Sequence, residues 1–323
     1  MKENYHFIDF LRCFAVLLVL LGHSIQYTVN DFDSVFLFRL IYSFHMPLFF
    51  FMSGYLSAKA DWQHFLSKRF KTLLIPFFAW ACFYSFFYNI QHFEKFPHFL
   101  VDFWRNVFLS PDNGALWFLW VLFLCNVFHF VVFNSQKKIL YAILFFFIIN
   151  IVYLLIPDAR VMGLGLLRWY FAFYFAGLYS PQKQWLVRLS QPIYLTISIL
   201  LFACGLIFFK RNGALNQTGK IWIIYLLNNF CTAFLGIISV MGLFFKSQYF
   251  SNQIRIVKWM SQQSLGIYAV QFIFFKSLTL YFPPVAFDLS WVFIVFVTIT
   301  VLSCLLVYLI SLNNFLKYLF LGK

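Results

Sequence analysis

Apolar residues fall in blocks of about twenty along this chain, the length a helix needs to cross the hydrocarbon core of a bilayer. Ten such blocks can be marked: 8–28, 35–58, 72–90, 114–133, 139–156, 164–180, 192–209, 221–245, 264–282 and 290–312. Polar or Gly/Pro-bearing joints separate them, among them NSQKK, SPQKQ, KRNGALNQTGK and FPPVAFD. The pattern predicts an all-α, polytopic integral membrane protein with about ten transmembrane helices. The longest joint, 91–113, is too short for a separate soluble domain, so 1–323 reads as one transmembrane domain with no appended soluble domain. Within that joint, PHFLVDFWRNVF suits a short helix lying at the interface. No repeat of fixed period is visible.

Composition strengthens this picture. The 323 residues are 63% hydrophobic and 11% charged, against about 45–50% and about 25% in a soluble domain. The net charge of +14 would suggest nucleic acid in a soluble protein. Here its first explanation is loop charge that sets orientation, and no nucleic-acid partner is expected. With the N-terminus inside, 14 Lys and Arg fall on inner segments and 6 on outer joints. That asymmetry predicts a multi-pass protein of the inner or plasma membrane with both termini cytoplasmic. The six cysteines stand singly in apolar runs, which supports neither a disulfide framework nor a metal site. The first block lacks a small-residue cleavage site and reads as an uncleaved span.

Candidate chemistry begins in that first span, FIDFLRCFAVLLVLLGHSIQY. Asp9 and Arg12 are three residues apart and can pair on one helix face. Arg12 and His23 are eleven apart, close to three turns, so they share a face at a separation of roughly 16 Å. Charged groups in lipid are costly and usually face a protein interior or a wet cavity. Alone, Arg12 could be a snorkelling interface residue and His23 a hydrogen-bonded core histidine; together on one stripe they favour a functional site. The second span holds FHMPLFFFMSGYL. It brings His45 to a depth similar to that of His23, Pro47 frees a carbonyl nearby, and Ser53 with Gly54 permits close approach of a helix or ligand. KRFKTLLIP follows, whose Lys68, Arg69 and Lys71 are either orienting charge or a phosphate cradle.

These residues resemble the acyltransferase-3 family of polytopic membrane acyltransferases, along nearly the whole chain. Arg12 and His23 fit the family's Arg-x10-His pattern, and HMPLFFFMSGYL is close to the signature of its sugar O-acetylating branch. GALWFLWVLFL, WYFAFYFAGLY and SLGIYAVQF resemble later motifs in family order. Two positions depart from the pattern. Gln271 stands where such families often place His, and Thr72 replaces the second Arg of an Arg-x-x-Arg pair whose first position is Arg69. The resemblance implies an acetyl-CoA-dependent O-acetyltransferase acting on a hydroxyl of a surface polysaccharide or its lipid-linked sugar precursor, with no metal. A histidine suits removal of the hydroxyl proton near neutral pH. His23 ranks first and His45 second for that task. The anionic CoA head would be met by Arg12, Lys68, Arg69 and Lys71, with Asp9 holding Arg12 and Ser53 beside the donor path.

Other side chains stay ambiguous. Arg39, Arg168 and Lys276 either face the acceptor or snorkel. Trp117 and Trp169 either belong to the aromatic belt at span ends or stack on a sugar ring. His129 reads as interfacial. The rival function is a polytopic transporter of a small solute or glycan, because buried charges and broken helices also mark transport pathways; the paired halves a transporter often shows are not visible here.

Overall fold

The computed structural model describes residues 6–57, 64–89, 116–132, 135–155, 163–180, 184–211, 220–247 and 254–323. Each of the ten apolar blocks lies on a helix there. In chain order these are α1 (His6–Thr28), α2 (Phe36–Ser57), α3 (Phe65–Arg69), a π-helical turn (Phe70–Leu74), α4 (Ile75–Asn89), α5 (Trp117–Val132), α6 (Lys138–Leu155) and α7 (Leu164–Tyr179). There follow α8 (Gln184–Leu189), α9 (Pro192–Phe208), α10 (Lys220–Ser247), α11 (Arg255–Tyr281), α12 (Leu289–Leu312) and α13 (Asn314–Leu321). No strand occurs among the described residues, although Val285 bonds the backbone of Thr28 and Asn30 on either side of Val29, at 2.9 and 3.0 Å. The interfacial helix expected within 91–113 lies outside the described residues.

Among the described residues, six helical stretches are long and apolar enough to cross a membrane: Phe7–Thr28, Phe36–Ser57, Phe65–Phe87, Ile223–Lys246, Arg255–Tyr281 and Leu289–Leu312. Helix is the form an apolar run takes in hydrocarbon, because each backbone group is satisfied within its own segment. The outward side chains are apolar too: on α12, Phe293, Ile294, Val301 and Leu305 are exposed. In water that stripe would be costly, and in lipid it is the contact surface. The protein is a multi-pass, all-helical membrane protein.

The chain divides into two compact units, and the division falls within α2 and within α12. The first comprises Met1–Met52 and Ser180–Val307. There α1 packs along α11 and also against α10, while α9 packs on α10. Leu11, Ala15, Val16, Val19 and Leu20 recur at three- and four-residue steps and are buried, which is the stripe a packed helix requires. Sulfur contacts fill the seam, with Cys13 Sγ 3.8 Å from Met260 Sδ. Toward the C-terminal end of α1, Ile25 and Val29 form an apolar cluster with Phe38, Ile41 and Val292.

The second unit comprises Ser53–Tyr179 and Tyr308–Lys323. Here α5 packs on α7, on α3 and on the π-helical turn, α6 packs on α7, and α13 packs on α4. A Cβ at Gly54 would collide with the backbone carbonyl oxygen of Tyr174, so glycine is what lets this part of α2 approach α7 at backbone distance. Asn313 caps α13 by accepting from the backbone N–H groups of Phe315 and Leu316. Gly322 ends that helix at φ 67°, and a Cβ there would lie 2.6 Å from Thr72 Cα and 2.7 Å from Lys71 O. The end of α13 therefore sits directly on the π-helical turn. Trp80 Nε1 adds a hydrogen bond to Phe320 O at 2.9 Å.

Candidate active site

Within the first unit the structure brings His23 and His45 together. His23, on α1, is near enough to His45, on α2, for its charge to be felt there. Both come from apolar helices; His45 is buried and His23 is half-buried. His23 is walled by Phe272 (ring centroids 4.9 Å apart), Phe275 (6.0 Å) and Tyr27 (6.3 Å). His45 is 3% exposed, and the Tyr42 ring lies 4.8 Å from it.

The two imidazoles are held differently. His45 Nδ1 lies 2.8 Å from Ile41 O, one turn back on α2. A carbonyl can only accept, so Nδ1 carries the proton, and a neutral His45 presents Nε2 as an acceptor. His23 has no such anchor. Gln271 from α11 lies beside it, and His23 Nδ1 and Gln271 Oε1 are each buried without a hydrogen-bond partner. The other end of that amide is fixed, with Gln271 Nε2 donating to Tyr268 O at 3.1 Å. A buried polar atom left unbonded costs about 1–3 kcal/mol.

Arg12 and Asp9 lie in the same unit, toward the other end of α1. Asp9 Oδ1 accepts from Ser261 Oγ of α11 at 2.7 Å, a partner that the spacing on α1 alone did not suggest. Arg12 is half-buried. Arg39 closes the C-terminal end of α9: its Nη2 donates to Leu206 O at 2.8 Å and to Ile207 O at 3.3 Å. Those carbonyls lie in the last helical turn, where a cation is the favoured group, and Leu206 O also accepts from Phe209 N at 3.2 Å.

The remaining candidates belong to the second unit. Lys68 and Lys71 are exposed. Arg69 is half-buried, with its guanidinium 5.1 Å from the Phe65 ring and Nη2 donating to Ser57 Oγ at 3.0 Å. Ser53 contributes its carbonyl, which accepts from Ser57 Oγ at 2.8 Å. Thr72, in the place of a second arginine, donates its hydroxyl to Lys68 O at 3.0 Å. Trp117 stacks on Tyr170 at 5.0 Å, Trp169 lies 6.0 Å from Phe173, and Arg168 beside it is half-buried.

Several polar residues escaped the reading of the sequence. His129 is buried, 4% exposed, rather than interfacial. Its Nδ1 lies 3.2 Å from Tyr174 Oη, which in turn donates to Asn126 Oδ1 at 3.1 Å. Asn126 Oδ1 is 3.5 Å from Ser57 Oγ, so this line of polar groups ends at the hydroxyl that Arg69 binds. The spacing of Asn126 and His129, three residues apart on an otherwise apolar helix, was the available signal. Tyr42, Gln26 and Arg211 in the first unit were also missed; a tyrosine or glutamine among apolar residues has no spacing that singles it out.

Multi-pass apolar helices define an integral membrane protein, and His23, His45 and Gln271 all lie in its first unit. The chain belongs to the acyltransferase-3 family, whose model, described as an acyltransferase domain, matches residues 5–309. Two curated relatives, each named nodulation protein NolL, are similar to part of the chain. The one from Sinorhizobium fredii is 33% identical over 128 residues, 35% of this chain and 32% of the relative. The one from Mesorhizobium japonicum is 32% identical over 126 residues, 36% of this chain and 32% of the relative. The match thus spans about a third of the length of either relative. No solved structure matches the chain.

Proposed function

We propose that this acyltransferase moves an acetyl group from acetyl-CoA to a hydroxyl of a surface or secreted polysaccharide, or of its lipid-linked sugar precursor. One observation carries the reading: His23 Nδ1 and Gln271 Oε1 are each buried without a hydrogen-bond partner, and Gln271 lies beside His23, with His45 in the same unit. A sugar hydroxyl supplies both a donor and an acceptor and would complete that bonding.

In this reading the hydroxyl oxygen attacks the thioester carbon and His23 takes the hydroxyl proton. The new C–O bond forms as the C–S bond breaks, and the proton passes to the departing thiolate, so free CoA leaves with its thiol restored. Gln271 orients the hydroxyl, and His45 offers a second acceptor through Nε2. At neutral pH an imidazole suits this exchange because its ordinary pKa lies near the operating pH. The charged head of CoA needs cations at the inner surface. Arg12, supported by Asp9, is the candidate of the first unit; Arg69, Lys68 and Lys71, with Ser53, are the candidates of the second. The separation of Arg12 from His23 along α1, roughly 16 Å, suits the reach of a pantetheine arm. Both termini then lie in the cytoplasm.

Mass spectrometry of envelope glycans from cells with and without the protein tests the reaction. The expected result is one acetyl unit per repeat that disappears with the protein and returns with it. Identical glycans in the two strains contradict the proposal.

A further inference from the structure

Arg211, which follows α9, takes no part in the chemistry described so far. Its guanidinium lies over three rings of the first unit: 5.6 Å from the centroid of Phe32, 5.7 Å from Phe38 and 5.2 Å from Tyr42. Phe38 and Tyr42 stack at 3.9 Å. Tyr42 also reaches His45, the two rings 4.8 Å apart, and its hydroxyl donates to Gln26 Oε1 at 2.6 Å. An aromatic wall thus runs from Arg211 to His45, and the charge of Arg211 is felt at both His23 and His45.

The cation is held but not used up. Its anionic neighbour is Asp33, with Nη1 and Oδ1 3.5 Å apart and the two side chains 33% and 44% exposed. That separation exceeds the roughly 2.7–2.9 Å of a charge-assisted hydrogen bond, and an ion pair so open to water contributes little. Stacking on aromatic faces fixes the plane of the guanidinium, which is weakly hydrated and forked to match a carboxylate or a phosphate.

We infer that Arg211 makes the enzyme selective for an acidic acceptor, binding an oxyanion of that molecule while its hydroxyl lies at His23 and His45. The inference rests on those histidines being where the acceptor reacts. The oxyanion is either a carboxylate of the glycan or the phosphate of a lipid carrier, since the fork serves both.

Protein in phosphatidylcholine nanodiscs can be titrated with methyl β-glucuronoside, methyl β-glucoside and a short prenyl phosphate, with binding read by saturation-transfer NMR. The expected result is an anionic probe bound at least about tenfold more tightly than the glucoside. Arg211→Gln removes that preference and Arg211→Lys keeps part of it, because charge remains while the fork is lost. Asp33→Asn strengthens anion binding by removing the competing carboxylate. Preference for the glucuronoside places the charge on the sugar, and preference for the prenyl phosphate places it on the carrier. His23→Ala weakens the sugars alike and leaves the anion preference standing, which separates failure at the histidines from failure at Arg211. Equal binding of all three probes, or an anion preference that survives Arg211→Gln, overturns the inference.

Discussion

His23 and His45 differ in what restrains them, and that difference predicts unequal roles. His45 is fixed by its bond to Ile41 O, whereas His23 keeps a buried nitrogen for a ligand. General acid–base groups typically contribute about 10²–10⁴-fold. His23→Ala is therefore expected to lower acetyl transfer by at least two orders of magnitude, and His45→Ala by less. His23→Gln separates proton transfer from positioning, because glutamine accepts a hydrogen bond but takes up no proton at neutral pH. Rates for each variant, measured at matched membrane expression, decide between them. Arg12→Ala should raise the apparent KM for acetyl-CoA, with Arg12→Lys restoring part of the loss; unchanged donor kinetics would leave Arg12 as an interface residue. Arg39 makes a contrasting prediction. Since it bonds Leu206 O and Ile207 O, Arg39→Ala should cost about 1–3 kcal/mol of stability and leave the acceptor KM unchanged. A shift in that KM at unaltered melting temperature would assign it to the acceptor instead.

At the scale of elements, glycine contacts are where single changes should be felt most. A methyl group at Gly54 meets backbone at Tyr174, which cannot swing aside as a side chain does. Gly54→Ala should lower the melting temperature in detergent by the equivalent of about 1–3 kcal/mol. Gly322→Ala should loosen α13 from the π-helical turn, since the position combines a left-handed backbone with contacts to Lys71 and Thr72. An unchanged melting temperature in either variant would mean that those close contacts do not limit stability. The helices themselves were legible because an apolar run has one way to satisfy its backbone in lipid. Their limits were less so. The block at 264–282 stops short of the true start of α11 at Arg255, because Lys258, Gln262 and Gln263 lower the hydropathy of a stretch that is helical and packed. Met260 meets Cys13 and Ser261 bonds Asp9 there. The π-helical turn at Phe70–Leu74 leaves no mark in hydropathy at all. Likewise the Arg12–His23 stripe was readable from spacing, whereas the placement of Gln271 beside His23 depends on α1 packing along α11, which no local pattern encodes.

For the whole molecule, the exposed apolar faces and six long spans make it a multi-pass membrane protein, and the charge asymmetry predicts how it is inserted. A phosphatase that is active only outside the cytoplasm, fused after Lys323, should stay silent; activity would reverse the topology and the route of the donor together. The family match over residues 5–309 places the chain in the acyltransferase-3 family, and the proposed donor and acceptor give the proposed activity a definite balance: each acetyl transferred releases one CoA thiol. The most direct measurement is release of free CoA by purified protein in nanodiscs, supplied with acetyl-CoA and the glycan fraction of cells lacking the protein. Wild-type protein is predicted to release CoA only when both are present, and His23→Ala, folded and still binding donor, is predicted to release none above background. Release by His23→Ala at the wild-type rate would contradict the account.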